Sequence, residues 1–318
     1  MSIEEEPDNY LIEGMLWENN NVMILAKEKI GKSIFGVQMA CSLTCGEAFL
    51  DEYEVPEPMQ ILYIQTESTQ HETIQRLRAM THESGVNWNP NNFHLLATHS
   101  IYLDEDDCLR WLIQEIIAKG VAPRVIFIDP LYMSMKGSLI DDQSARAMSR
   151  NMRKLGEMFK ACIVVVHHEH RSKRNQEGNH IQEGDDSVMG SFVWKAFPNH
   201  IIRIVKRGDG LRSLTCDTQR SDRVIKDMRL ELCNPLPLCY KIHGTPDHPN
   251  YVGIVLNHIQ HHGHKCAQDI TNETGLSLSA VKKSLSYLSG PGVNKIRKVN
   301  PGRRPTYYEF IQPPSTTD

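Results

Sequence analysis

Gly31, Lys32 and Ser33 stand together at the end of a short polar loop, and these residue types in that order can hold a phosphate and a divalent cation. The apolar run Val22-Met23-Ile24-Leu25 leads into the loop, and a helical pattern, Ile34-Phe35-Gly36-Val37-Gln38-Met39-Ala40, follows it. Backbone N–H groups at a helix start, with the positive end of the helix dipole, favour an anion. The Lys32 ammonium would reach the β and γ phosphates of a nucleotide, and the Ser33 hydroxyl is a hard oxygen ligand suited to Mg²⁺. The full spacing, Gly-x-x-x-x-Gly-Lys-Ser/Thr, runs over Ala26, Lys27, Glu28, Lys29, Ile30, Gly31, Lys32 and Ser33, with Ile34 opening the helix. Ala26 stands where the first glycine is expected. Glycine is used there because the loop turns tightly and its backbone approaches phosphate, and alanine is the smallest departure.

Three further groups fall at the ends of apolar strands. Asp129 follows Val125-Ile126-Phe127-Ile128, where a carboxylate can bind Mg²⁺ directly or through water. Glu67 follows Gln60–Gln65; it can orient and deprotonate an attacking water, or serve as an acid at a helix start. His168 follows Cys162–Val166 and His167; its imidazole can hydrogen-bond a γ-phosphate, and a metal site with His167 and His170 is the competing reading. Arg220, after a late strand, offers a guanidinium that can neutralise transition-state charge from a neighbouring subunit, or is an ordinary surface arginine. A second histidine group, His258, His261, His262 and His264 with Cys266, leaves zinc open as an alternative to ordinary surface histidines.

The elements that must position these groups alternate. The pattern predicts helices to about Thr44, over Gln70–Ser84, Asp104–Lys119 and Gln143–Phe159, and strands at Gln60–Gln65, Phe93–Ala97, Val125–Ile128 and Cys162–Val166. On the third helix, Leu109, Leu112, Ile113, Ile116 and Ile117 share one face. His200–Val205 and Arg212–Cys216 read as late antiparallel strands, and the polar stretch Arg171–Met189 as a loop. Apolar strands alternating with helices imply an α/β fold with a mostly parallel central sheet, whose ligands sit at the carboxyl ends of the strands.

The 318 residues suffice for one large domain and a small one. We read residues 1–234 as the α/β core, the Pro-rich 235–249 as a linker and 250–318 as a separate module. Three short helices and a basic hairpin around Asn300–Pro305 make that module a winged helix-turn-helix. The net charge of −4 is uneven: residues 250–318 carry eight Lys or Arg and four Asp or Glu, against 27 basic and 35 acidic residues elsewhere. A basic module on an acidic body suits a polyanion, or is a solvated surface. The eight cysteines are scattered, no apolar run has the length of a membrane span and the N-terminus is acidic, so a cytoplasmic protein that does not enter membranes is expected.

Taken in order, these segments resemble the RecA-like ATPase core of hexameric replicative helicases, of the plasmid RepA type related to DnaB, over about Tyr10 to Leu232. Tyr10–Trp17 is similar to the lead-in segment and Ala26–Ser33 to the phosphate loop. Ile61–Glu67 resembles the strand with the catalytic glutamate, Val125–Leu131 the Walker B strand, and Val164–His168 the sensor strand. Gly190-Ser191 resembles the turn after the DNA-facing loop, and Thr218-Gln219-Arg220 the arginine-finger motif, with Thr218 where lysine is common. The resemblance implies ATP with Mg²⁺ as the nucleotide and cation, a hexameric ring of identical chains, single-stranded DNA in a central channel and contact with other replication proteins. Glu67, His168 and Arg220 would be catalytic; Ser33 and Asp129 would hold the metal. Lys136, Arg171, Lys173 and Arg174 would meet single-stranded DNA. Lys282, Lys283, Arg303 and Arg304 would let the winged helix meet duplex DNA, or that module would dock a protein. The alternative is an ATP-gated DNA-binding regulator, loader or annealing mediator without unwinding activity.

Overall fold

Strands of continuous aliphatic residues with no charge in their interior can only be stable between two layers of helices, and that is the arrangement found. A computed structural model describes residues 9–81, 86–169, 188–208, 210–218, 225, 227–233, 238–243, 251–276, 278–289, 295–299 and 305–311. A short ribbon of β1 (Tyr10–Ile12) and β2 (Leu16–Trp17) precedes β3 (Asn21–Ala26), α1 (Lys32–Cys45), β4 (Ile61–Gln65), α2 (Gln70–Thr81) and β5 (Phe93–Ala97). Next come α3 (Asp106–Ala118), β6 (Val125–Asp129), α4 (Asp142–Phe159), β7 (Cys162–His168), the single turn α5 (Val193–Ala196), β8 (His200–Lys206), β9 (Arg212–Thr218), β10 (Met228–Cys233) and β11 (Cys239–Ile242). The described strands from β3 to β11 form one sheet in the order β11-β10-β9-β8-β3-β7-β6-β4-β5. From β8 to β5 every pairing is parallel, and from β8 to β11 every pairing is antiparallel.

The strand period of two sorts the core into two layers. Met23, Leu25, Leu62, Ile64, Ile126, Ile128, Ile163 and Val165 pack with Leu109, Leu112 and Ile116 of α3 and Met148, Met152 and Leu155 of α4. On the other face, Gly36 of α1 lies against Ile24, Tyr63 and Val166, and Tyr63 stacks on Phe127 with ring centroids 5.1 Å apart. Each large aliphatic side chain buried this way contributes about 1.5–3 kcal/mol. Ile117, expected on the buried face of α3, is instead 60% exposed, because at 100° per residue it lies off the stripe set by Leu109, Leu112 and Ile116.

The expected linker needs correction. Within 235–249, β11 pairs antiparallel with β10, Leu230 to Ile242 through Cys233 to Cys239, so the larger compact unit extends to His243. Its short strand between Pro235 and Pro249 carries too little apolar periodicity to stand out from the prolines around it.

A second compact unit takes in Leu50–Glu54 and residues from Gly244 onward. It holds α6 (Tyr251–His262), β12 (Lys265–Cys266), α7 (Ala267–Thr274), α8 (Leu278–Leu288), β13 (Ile296–Lys298) and β14 (Tyr307–Phe310), with strand order β12-β14-β13, antiparallel throughout. Its core is Val255, Ile259, Ile270, Val281, Leu285, Leu288 and Ile296. A capping box between Cys266 and Asp269 starts α7, and Gly275 in the left-handed region ends it.

Candidate functional site

The parallel strands β3, β7, β6 and β4 are neighbours in the sheet, so the residues at their carboxyl ends meet. The phosphate loop leaves β3 after the buried Ala26 and turns through Lys29 (φ 60°) and Gly31 (φ 106°) into α1. Gly31 caps α1 without a side chain, and the first turn carries no acid. The N–H groups of that turn and the helix dipole thus favour an anion at this end of α1. Among the expected loop residues, Lys27, Glu28 and Lys29 are exposed, Ile30 is tucked inside, and Ser33 and Ile34 are half-buried.

Lys32 is only 7% exposed. Its Nζ donates to the Lys27 carbonyl at 2.9 Å and lies 3.2 Å from Nδ1 of His168. Burial lowers the Lys32 pKa, an effect that Asp129, Glu28, Glu67 and Glu169 oppose. Burial, and then the charge of Lys32, hold His168 below its ordinary value, so Nδ1 is the acceptor in this pair. The Tyr132 ring meets His168 edge-on at 5.4 Å. His167 is fully buried, with Nε2 2.7 Å from the Met189 carbonyl, to which it donates. Glu169 pairs with Arg203 of β8, both side chains nearly enclosed.

Asp129 is wholly buried, and burial raises its pKa while hydrogen bonds from Tyr63 and Ser33 work against that rise. Ser33 Oγ donates to Oδ1 at 3.2 Å, and Tyr63 Oη donates to Oδ2 at 2.7 Å. A hydroxyl and a carboxylate oxygen side by side are the hard donors that Mg²⁺ takes, so these two residues fit the cation. Gln65 Nε2 also lies 3.4 Å from Oδ2, while Gln65 Oε1 accepts from the backbone N–H of Glu67 at 2.9 Å and of Ser68 at 3.2 Å. The Glu67 side chain is exposed at the end of β4. His99 Nδ1 donates to the Thr66 carbonyl at 2.7 Å, which adds a second tie to the Glu67 turn.

Sequence reasoning passed over Tyr63 and Gln65. The available signal was a phenol and an amide inside an otherwise apolar strand, since buried polar groups need partners. Of the expected DNA contacts, only Lys136, Lys282 and Lys283 are among the described residues. Lys136 is paired with Glu105 at 3.1 Å, its backbone N–H bonded to Asp104. Lys282 lies on α8 and pairs with Glu54 at 3.4 Å within the second unit; Lys283 lies on the same helix. Arg171, Lys173, Arg174, Arg220, Arg303 and Arg304 lie outside the described residues, as does His170. Among the described residues no group of three or more His, Cys, Asp or Glu side chains is placed to hold a metal ion. In the second histidine group, His258 is engaged by Glu273 at 2.8 Å and His264 by Glu309 at 2.5 Å.

The family model for an AAA domain, AAA_25, matches residues 2–174. Among solved structures, the ATPase domain of another protein superposes with a TM-score of 0.52 at 12% identity, over 71% of this chain and 85% of that one. A KaiC-like protein from the hyperthermophilic archaeon Pyrococcus horikoshii OT3 gives a TM-score of 0.48 at 10% identity, over 76% of this chain and 99% of that one. No curated protein matches the sequence. The fold is therefore that of RecA-like P-loop ATPases: α/β with a mostly parallel sheet. Among the described residues no helix is long and apolar enough to cross a membrane.

Proposed function

The chain belongs to the AAA domain family AAA_25, and from that premise we propose that this P-loop ATPase is a DNA-acting motor of the replicative-helicase type. The observation that carries the reading is the meeting of Lys32, His168, Ser33 and Asp129 at the ends of three adjacent strands, 3.2 Å separating each pair. In this proposal ATP binds with its phosphates on the N–H groups and ammonium of Gly31–Ser33. The Lys27 carbonyl and His168 hold that ammonium in place beforehand. Ser33 and Asp129 hold Mg²⁺, which when bound offsets charge on the phosphate oxygens. Glu67, held by Gln65 through its backbone, takes the proton of the attacking water. His168, neutral and beside Lys32, senses the γ-phosphate. Copies assemble into a ring, a hexamer in this reading, and Arg220 acts on the ATP of the neighbouring copy.

Single-stranded DNA would lie against Lys136, Arg171, Lys173 and Arg174. Three helices with a small antiparallel sheet, one strand after the first helix and two after the third, support reading the second unit as a winged helix-turn-helix that meets duplex DNA through Lys282, Lys283, Arg303 and Arg304. The same unit also favours a second reading, an ATP-gated DNA-binding regulator or loader. The test is phosphate release by the full chain with Mg²⁺, with and without single-stranded DNA, followed by strand displacement. Turnover that DNA stimulates and Lys32→Ala abolishes is expected. Turnover and DNA binding without displacement select the regulator; no turnover in any condition refutes the motor.

A further inference from the structure

The phosphate loop is held from a place that neither its own motif nor the matched family segment includes. β11 is the outermost strand on the antiparallel side of the sheet, and Tyr240 lies in its middle. The Tyr240 ring is buried, edge-on to Phe35 of α1 at 5.8 Å. Its hydroxyl donates to the carbonyl of Ile30 at 2.7 Å. A Cβ at Gly31 would come within 2.5 Å of the same hydroxyl, so only glycine fits between loop and phenol. Gln38 fixes the tyrosine backbone from α1: Gln38 Nε2 donates to the Tyr240 carbonyl at 3.0 Å, and the Tyr240 N–H donates to Gln38 Oε1 at 2.7 Å.

In a planar trans peptide the carbonyl and the following N–H point in opposite directions. A phenol that holds the Ile30 carbonyl toward the core therefore turns the Gly31 N–H outward, away from the core. Gly31 stands at φ 106°, a conformation a free chain populates readily only with glycine, so this peptide could turn over unless something holds it. Turned over, it would present a carbonyl oxygen to an anion. Burial pushes the Tyr240 pKa up to about 12, with the Arg212 guanidinium beside the phenol opposing the rise, so the hydroxyl stays protonated and stays a donor at any working pH.

We propose that Tyr240 is a positioning residue for nucleotide binding: through the Ile30–Gly31 peptide it presets the loop to receive phosphate. The proposal rests on the reading of the site as an ATP site. It assigns Tyr240 no part in bond breaking.

The test is Tyr240→Phe in the full chain, which keeps the ring and removes the donor. Affinity for a fluorescent ATP analogue and inhibition by inorganic pyrophosphate should both weaken by about 5- to 10-fold, as expected for one hydrogen bond. The thermal midpoint without nucleotide should move little, and kcat should fall less than kcat/KM. A hydrogen bond that only stabilises the fold would instead lower the midpoint and leave pyrophosphate binding as it was. Should Tyr240→Phe fail to fold, 3-fluorotyrosine at position 240 takes over: it keeps the hydroxyl as a stronger donor, and it should bind pyrophosphate at least as tightly as the wild type. Equal affinities for wild type and Tyr240→Phe, or weaker binding by the fluorotyrosine protein, overturn the proposal. Wild type that binds no ATP analogue refutes the ATP site itself, a different outcome from these.

Discussion

Tyr63 Oη sits 2.7 Å from Oδ2 of Asp129, and the other carboxylate oxygen, 3.2 Å from Ser33 Oγ, faces the phosphate loop. The two oxygens thereby have different partners: one is tied to the neighbouring strand, the other to the phosphate loop. α1 has a glycine opposite the phenol. A Cβ at Gly36 would lie 3.1 Å from Tyr63 Oη, closer than most contacts of that kind. Glycine inside a helix costs about 0.5–1 kcal/mol relative to alanine, so its presence here is explained by the room it gives the hydroxyl.

Replacing Tyr63 with phenylalanine tests this division. The hydrogen bond from Tyr63 lowers the Asp129 pKa against the rise caused by burial, so its loss leaves the carboxylate harder to ionise. The Mg²⁺ concentration for half-maximal ATP turnover should rise by about 10- to 150-fold, corresponding to roughly 1.5–3 kcal/mol for a hydrogen bond to a charged group. The acid limb of the pH–rate profile should move upward. Gly36→Ala should lower the thermal midpoint in wild type and be neutral or stabilising in the Tyr63→Phe background. Additive effects of the two substitutions would mean that Gly36 and Tyr63 do not constrain each other.

His168 predicts a dependence of stability on pH. Its folded pKa lies below the ordinary 6.5, through burial and the Lys32 charge. The unfolded chain therefore binds more protons between the two values, and stability falls as pH drops through that window. His94 and His200 are displaced in the same direction by burial, so the informative quantity is a difference. Without nucleotide, the thermal midpoint of wild type should decline more between about pH 7.5 and about pH 5 than that of His168→Asn. Parallel declines would remove the Lys32–His168 contact from the argument.

Glu67 and Arg220 predict a division of labour between copies. Glu67→Gln should still bind ATP and lose turnover, since its backbone anchor to Gln65 does not involve the carboxylate. Arg220→Ala should slow turnover by a factor on the order of 10³. Mixed together, the two inactive variants should regain phosphate release, as one copy supplies Glu67 and its neighbour Arg220. Absence of recovery, with mixed assemblies verified by mass, would place the whole site within one copy.

The ends of β6 and β7 are legible in the sequence because each is an apolar run closed by chemical groups, Asp129 in one and His167-His168 in the other. Phe93–Ala97 has the same limits in the sequence reading as β5 in the structure. What escaped is what depends on partners rather than on the local run of residues. β11 is four residues among prolines, and only its ladder with β10 makes it a strand. Tyr63 and Tyr240 look like core aromatics in a linear reading. Their hydroxyls gain meaning only once the fold brings Asp129 and Ile30 to them, 66 and 210 residues away in the chain.

The second unit gives the last prediction. On β13, Arg297 and Lys298 are exposed, and Lys295 just before it is exposed too, while Arg297 is partnered by Glu309 on β14. Glu309 also takes His264, so one carboxylate holds two side chains at this sheet. If this face meets DNA phosphates, each lysine or arginine removed should take about one unit from the slope of log affinity against log salt. Lys295→Ala with Lys298→Ala should therefore flatten the slope for duplex DNA by about two and leave Mg²⁺-dependent ATP turnover unchanged. Glu309→Gln should act in the opposite sense, since it frees Arg297 from its carboxylate, and should tighten duplex binding at low salt. Fluorescence anisotropy on a labelled duplex between about 50 and about 200 mM salt reads both effects over the range where about 10³-fold changes arise from multiple phosphate contacts. Unchanged slopes in both variants would turn the reading of this unit from DNA toward protein docking.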